Sequence, residues 1–221
     1  MTIAKSVEQL LAQYGGIAME KQIELGNVIG TNSWSVDITT GEISFGEQLT
    51  FPMQILGSWS HVTNTWLWAW ANTISNLPQN LLEQAYALKK FGEENEIDLL
   101  TVPEFDAEDK TLHLIGMIVS GIFNTSGYYK ANYGKGTMLL TIKSEIIDKS
   151  HNDLGYQKIL TVFPELINLY EMDYKAALSH YLNAKGFSVM DNDRILSGVN
   201  GQIEITAEFD EFNRMKSIGF K

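Results

Sequence analysis

Apolar residues near the start of the chain recur at helical spacing: Val7, Leu10, Leu11, Tyr14, Ile17, Ala18, Ile23 and Leu25 form one stripe behind Ser6, a residue suited to capping a helix start. This predicts a long helix over 6–29, with Gly15-Gly16 as a place to bend. The period then drops to two. Trp34, Val36 and Ile38 alternate with polar residues, Thr39-Thr40-Gly41 makes a turn, and Ile43 and Phe45 resume the alternation, which predicts a hairpin with one buried face. Phe51, Met53, Ile55 and Trp59 share one side of the run 49–59, and His61-Val62-Thr63-Asn64 turns the chain into a fourth strand over 65–71. The four make an antiparallel meander. In the last strand Trp66, Trp68 and Trp70 alternate with Leu67, Ala69 and Ala71, so it is apolar on both faces and belongs deep in the fold.

Helical spacing returns over 80–91, where Leu81, Leu82, Ala85, Leu88 and Phe91 share a face and Gly92 is the predicted stop. An acidic turn follows at 93–96, a short apolar piece at 97–102, an acidic connection at 103–109 and a second apolar helix at 109–123. Beyond an aromatic connector at 128–133, the alternation of Met138, Leu140 and Ile142 predicts a strand over 136–143 in the same sheet. After a polar stretch at 148–155 come two helices, 156–170 and 173–185, and three strands, 187–190, 203–209 and 215–220. The pattern predicts an α+β fold of antiparallel β-meanders covered by helices. Because the order of helix then meander occurs twice, the two halves read as related. The chain is taken as one domain over 1–221, with a subdivision into a helix-meander-helix unit at 1–147 and C-terminal helices plus hairpin at 148–221.

The 221 residues include no cysteine, which removes disulfides, thiolate metal sites and cysteine nucleophiles and fits a cytoplasmic location. Residues 1–6 begin no apolar core or cleavage site of a signal peptide, and the longest apolar stretch, 112–123, is short of the roughly 20 residues needed to cross a bilayer. A net charge of −11 with only two arginines leaves no cationic stripe for phosphates, so neither nucleic acid nor an anionic membrane is an expected partner. The same charge suits a basic protein partner, through complementarity that speeds and selects encounters; it also serves plain solubility.

Gln54-Ile55-Leu56-Gly57-Ser58, a turn, and then Trp66-Leu67-Trp68-Ala69-Trp70-Ala71-Asn72 resemble the tryptophan-rich signature of a bacterial DUF6882-like family of unknown function. The resemblance extends by pattern to the apolar helix around Ile115, to Gly127-Tyr128-Tyr129, to the strand at Gly136 and, loosely, to the closing turn Ala207-Glu208-Phe209-Asp210, about two thirds of the chain. It implies no activity, cofactor or catalytic residue. Compact acidic α+β proteins also resemble the immunity proteins that accompany bacterial toxins.

His61, His113, His151 and His180 are scattered, with no HxH or HExxH spacing, so no metal ligands, catalytic residues or cofactor can be named. His113, on an apolar helix, reads as a hydrogen-bonded core histidine, whereas His61 beside the tryptophans is the better functional candidate. Gly134-Lys135-Gly136-Thr137 lacks the upstream glycine of a phosphate loop and reads as a turn. Trp59, His61, Trp66, Trp68 and Trp70 either fill the core or line a cleft for a flat or sugar-like small molecule. Glu104, Asp106, Glu108 and Asp109 are a solvated loop or a docking patch for a basic partner. Tyr128, Tyr129 and Tyr133 either cap the core or face that partner. The expected function is non-catalytic binding of a protein partner, immunity-like or regulatory. The alternatives are a small-ligand binder with a tryptophan-lined cleft and a hydrolase built on the carboxylates and His61.

Overall fold

Ser6 Oγ accepts from the Gln9 N–H while Gln9 Oε1 accepts from the Ser6 N–H, a reciprocal cap that starts α1 (Val7–Ile29). The computed structural model describes residues 6–152 and 155–221, and the side chains of all of these except 150–152. Residues 1–5, read above for an export signal, and the His151 side chain lie outside that description, as does part of the polar stretch 148–155. α1 runs without a break through Gly15 and Gly16. The pair serves packing: a Cβ on Gly16 would stand 2.5 Å from the ring of Tyr181 in α7 (Tyr174–Ala184), so only glycine lets these helices meet this closely.

The predicted meander is present as β1 (Trp34–Asp37), β2 (Glu42–Phe45), β3 (Leu49–Ser60) and β4 (Thr65–Trp68). The long β3 organises the sheet. Its first residues pair with β2 and its last with β4, end to end on one edge, while β7 (Gly136–Ile142) pairs with Met53 to Ser60 on the other. A bulge between Ile55 and Gly57 breaks the alternation, so the successive residues Ile55 and Leu56 are both buried, in different core clusters. Gly57 makes room for a tryptophan: a Cβ there would lie 2.4 Å from the Trp66 ring.

Several elements depart from the predicted pattern. The strand expected over 65–71 ends at Trp68, and Ala69–Ala71 form a 3₁₀ turn that takes Trp70 out of the row of Trp66 and Trp68. The aromatic connector is a strand, β6 (Gly127–Asn132), paired with β7 through a hairpin whose turn holds Gly134 at φ 92°. The acidic connection contains β5 (Glu104–Asp106), which pairs with β4 and completes a seven-stranded sheet. The helix expected to stop at Gly92 continues as α2 (Glu83–Asn95) and ends at Glu96 in the left-handed conformation, φ 57°. Gly92 is instead the contact for α3 (Asp98–Thr101): a Cβ would stand 2.7 Å from Leu100.

α4 (Asp109–Ile122) follows the predicted apolar span, and α5 (Glu145–Asn152), α6 (Gln157–Leu169) and α7 lead to a second antiparallel sheet. That sheet is β8 (Ser188–Asn192), β9 (Ile195–Asn200), β10 (Ile203–Phe209) and β11 (Met215–Phe220), in the order β11-β10-β9-β8. The pattern assigns no element to 195–200, which is β9; Gly198 there admits Leu182, whose methyl would lie 3.0 Å from a Cβ. The fold is α+β, as the alternating periods predicted. One core cluster joins α1, α4, Trp66 and Trp68 to α6, α7 and the second sheet; another lies among β2, β3, β6, β7 and α2. Among the described residues no helix is long and apolar enough to cross a membrane.

Candidate functional site

β5 lies at the sheet edge, and its hydrogen bonding shows which way it faces. Ala107 N–H donates to Asn64 O and Trp68 N–H to Pro103 O, so positions 103, 105 and 107 address β4 while the backbone groups of Glu104 and Asp106 point away from it. Glu108 then caps α4, its backbone carbonyl accepting from the Thr111 N–H at 2.9 Å while Thr111 Oγ1 accepts from the Glu108 N–H. Asp109 follows in the first turn, where the helix dipole favours an anion. Glu104, Asp106, Glu108 and Asp109 are all exposed.

Three of them, with Trp59, Thr63, Asn64 and Thr111, line an open concavity of about 750 Å³. Trp59 is fixed there by its indole N–H, which donates to Ala107 O at 2.9 Å. The His61 ring stands edge-on to Trp59 at 4.8 Å, with Nδ1 3.1 Å from Gly134 O and Nε2 2.9 Å from Thr137 Oγ1. A carbonyl can only accept, so Nδ1 carries a proton, and both ring nitrogens are engaged in holding the β6–β7 turn to the end of β3. Among the described residues no group of three or more histidine and carboxylate side chains converges to hold a metal ion.

Behind the concavity Lys130 Nζ donates to Asp109 Oδ1 at 2.6 Å, and this bond holds the Asp109 carboxyl below the usual range against the opposing effect of partial burial. His113, one turn along α4, has Nε2 3.7 Å from Asp109 Oδ2 and Nδ1 2.8 Å from the Tyr128 hydroxyl. Burial first, and then the Lys130 charge, push the His113 pKa down and outweigh the pull of Asp109. The unfolded chain therefore takes this proton first as pH falls, and the stability His113 contributes above about pH 6.5 is lost as pH drops below it. An NMR titration is expected to place the His113 midpoint below the ordinary histidine value; a midpoint above it would make Asp109 the dominant neighbour.

The other predicted residues separate. Tyr128 is buried, lying over Gly116 of α4; Tyr129, its side chain on the opposite face of β6, packs edge-on to Phe45 at 4.8 Å; and only Tyr133 is exposed. Trp66 and Trp68 are 0% exposed and meet at 5.2 Å with rings almost perpendicular, so they belong to the core and not to a cleft. Trp70, half-buried beyond its 3₁₀ turn, carries the Lys89 ammonium 4.6 Å above its ring. Of the five residues grouped as a small-molecule site, only Trp59 lines the concavity, with His61 packed beside it.

The β3–β4 pair, with Gly57 under Trp66, is bracketed by α1 on one side of the sequence and β7 on the other, and the DUF6882 model, a family of unknown function, matches residues 8–144. The chain belongs to the DUF6882 family. No curated protein and no solved structure matches it. The DUF6882 match ends just before α5, so α5–α7 and the second sheet lie beyond it.

One cavity straddles that boundary. About 550 Å³ in volume, it is lined by Tyr14 and Lys21 of α1, Ser120 of α4, Asn124, Asp148 of α5 and His180 of α7, among others. Lys21 Nζ donates to Asn124 Oδ1 at 2.7 Å and to Thr125 O at 2.9 Å. Lys143 Nζ donates to Asp148 Oδ2 at 2.6 Å. Sequence reasoning missed this cavity because its polar members are distant along the chain; the one local sign is Ser120, a hydroxyl inside an otherwise apolar helical turn.

Proposed function

We propose that this protein is a non-catalytic binding protein, regulatory or immunity-type, whose acidic end receives a basic segment of a protein partner. The observation that carries the reading is the concavity at β5 and the start of α4, where Asp106, Glu108 and Asp109 surround the half-buried Trp59. An aromatic wall among carboxylates suits a lysine or arginine side chain, which gains cation–π and ionic contact together. The outward backbone groups of Glu104 and Asp106 offer a place where an extended segment can add alongside β5. The net charge of −11 draws such a partner in.

The reading is tested by calorimetric titration with a lysine- and arginine-rich peptide. Asp106→Lys combined with Glu108→Lys is expected to weaken binding at least about tenfold, roughly 1.4 kcal/mol, while reversing Glu93 and Glu94 on α2 leaves it nearly unchanged. Added salt is expected to weaken it as well. Equal losses from both pairs of reversals, or no binding of the peptide, would reject the proposal.

A further inference from the structure

β5 is the last strand on its side of the seven-stranded sheet, and among the described residues it pairs with β4 alone. The Ala107 N–H donates to Asn64 O at 2.8 Å and the Trp68 N–H to Pro103 O at 3.1 Å, which fixes the alternation of the ladder. Phe105, opposite Trp66, turns its backbone groups to β4, and those of Glu104 and Asp106 turn outward. The side chains alternate as well. Glu104 and Asp106 share a face with Leu67 and Thr65, while the half-buried Phe105 lies beside Trp66 on the other. On the edge strand β8 the Asp191 carboxylate is paired with Lys175, and on the edge strand β1 Asp37 accepts from its own turn at Thr39. Glu104 and Asp106 are exposed and, among the described residues, have no cation bonded to them.

We propose, resting on the reading of the acidic end above, that the partner's basic segment binds as an antiparallel strand added to β5, with basic and apolar residues alternating along it. Such a strand exchanges hydrogen bonds with the outward N–H and C=O groups of Glu104 and Asp106. Residues directly opposite across a ladder share a face, so the two that oppose Glu104 and Asp106 meet carboxylates and the one between them meets Phe105. Lysine or arginine suits the first two positions, and a β-branched apolar residue suits the third. The direction follows from the sheet, in which every pairing is antiparallel. The carboxylates also exclude a second copy of this chain. Two β5 edges paired about Phe105 would set Glu104 against Asp106 twice, and like charges directly opposite are destabilising. Charged side chains on a short edge block indiscriminate pairing, so β5 admits a strand only when that strand brings the complementary charge. Asp106 itself lines the concavity, so a strand that runs on past it reaches Trp59.

The experiment is calorimetric titration of the full chain with two peptides of one composition, the first with lysine and valine alternating, the second with lysines and valines in separate blocks. The alternating peptide is expected to bind at least about tenfold more tightly. N-methylation of its lysine amides removes the donors that point at β5 and keeps every charge, and is expected to weaken binding about tenfold; N-methylation of its valine amides, which point away, is expected to leave affinity nearly unchanged. Glu104 does not line the concavity, so Glu104→Lys is expected to weaken the alternating peptide about tenfold more than the block peptide. Because Glu104 is exposed, that variant is expected to keep its Tm, which separates lost binding from lost folding. Equal affinity of the two peptides, or lysine-amide methylation without effect, would overturn the added strand; the acidic-end reading then stands if Asp106→Lys with Glu108→Lys still weakens both peptides. If neither peptide binds, the added strand and the acidic-end reading fall together.

Discussion

Trp68→Ala is expected to lower the stability of this protein by about 3–5 kcal/mol, the usual cost of deleting a fully buried aromatic side chain. The ring has no exposed surface, stands perpendicular to Trp66 at 5.2 Å, and donates its indole N–H to Leu99 O at 3.1 Å. Truncation opens a void where the sheet meets α3 and α4 and leaves the Leu99 carbonyl without its donor. Denaturant unfolding should therefore show a lower midpoint at unchanged slope. Phenylalanine substitutions resolve the two tryptophans further. The buried Trp66 indole N–H has no partner among the described residues, so Trp66→Phe loses only contact area, whereas Trp68→Phe also loses a hydrogen bond. Trp68→Phe is expected to cost about 1 kcal/mol more. Equal costs would show that the Leu99 bond contributes nothing net, and a loss under about 1 kcal/mol for Trp68→Ala would contradict its place in the core.

The second large effect is expected at Glu20, which is 0% exposed on α1 and is the partner of two α7-side groups. Lys185 Nζ, on a side chain only 8% exposed, donates to Glu20 Oε1 at 2.7 Å, and the Tyr181 hydroxyl donates to Oε2. Glu20→Ala strands a buried ammonium and a buried hydroxyl together, and removing one partner of a buried pair typically costs about 3–5 kcal/mol. Glu20→Gln, whose amide oxygen still accepts, is expected to cost less, and Glu20→Leu combined with Lys185→Met should recover part of the loss. Burial, followed by the Glu20 charge, pushes the Tyr181 hydroxyl far above its ordinary value. A raised pKa means that the stability it contributes is complete below about pH 10, where the unfolded tyrosine begins to ionise, and is lost as pH rises beyond that point. Tyr181→Phe is expected to flatten that alkaline limb. A Glu20→Ala loss below about 1 kcal/mol would show that the released groups find water.

These two sites show how far patterns along the chain reach. The capped helix at Ser6, the meander through β4, the apolar helix at 109–122 and the α7 span all follow from period and capping, because each depends on contacts a few residues apart. Glycine read as punctuation holds at Gly41, φ 77° in the turn between β1 and β2, and fails at Gly92, which makes room for Leu100 in the next element. The row of tryptophans failed for a related reason. Alternation placed Trp70 beside Trp66 and Trp68, but the chain leaves the ladder at Ala69, where α2 comes to pack on the turn.

For the candidate sites the division is sharper. Composition alone establishes the acidity, the lack of cysteine chemistry and the lack of a cationic stripe, and Glu104, Asp106, Glu108 and Asp109 stand close together along the chain. Only the tertiary structure decided that Asp106, Glu108 and Asp109 border Trp59, that Tyr128 and Tyr129 lie on opposite faces of β6, and that Lys21, Ser120 and Asp148 line one cavity. The physical reason is the same throughout: propensity, capping and alternation are local energies written into neighbouring residues, whereas a site is made by long-range packing that brings distant side chains together and removes them from water.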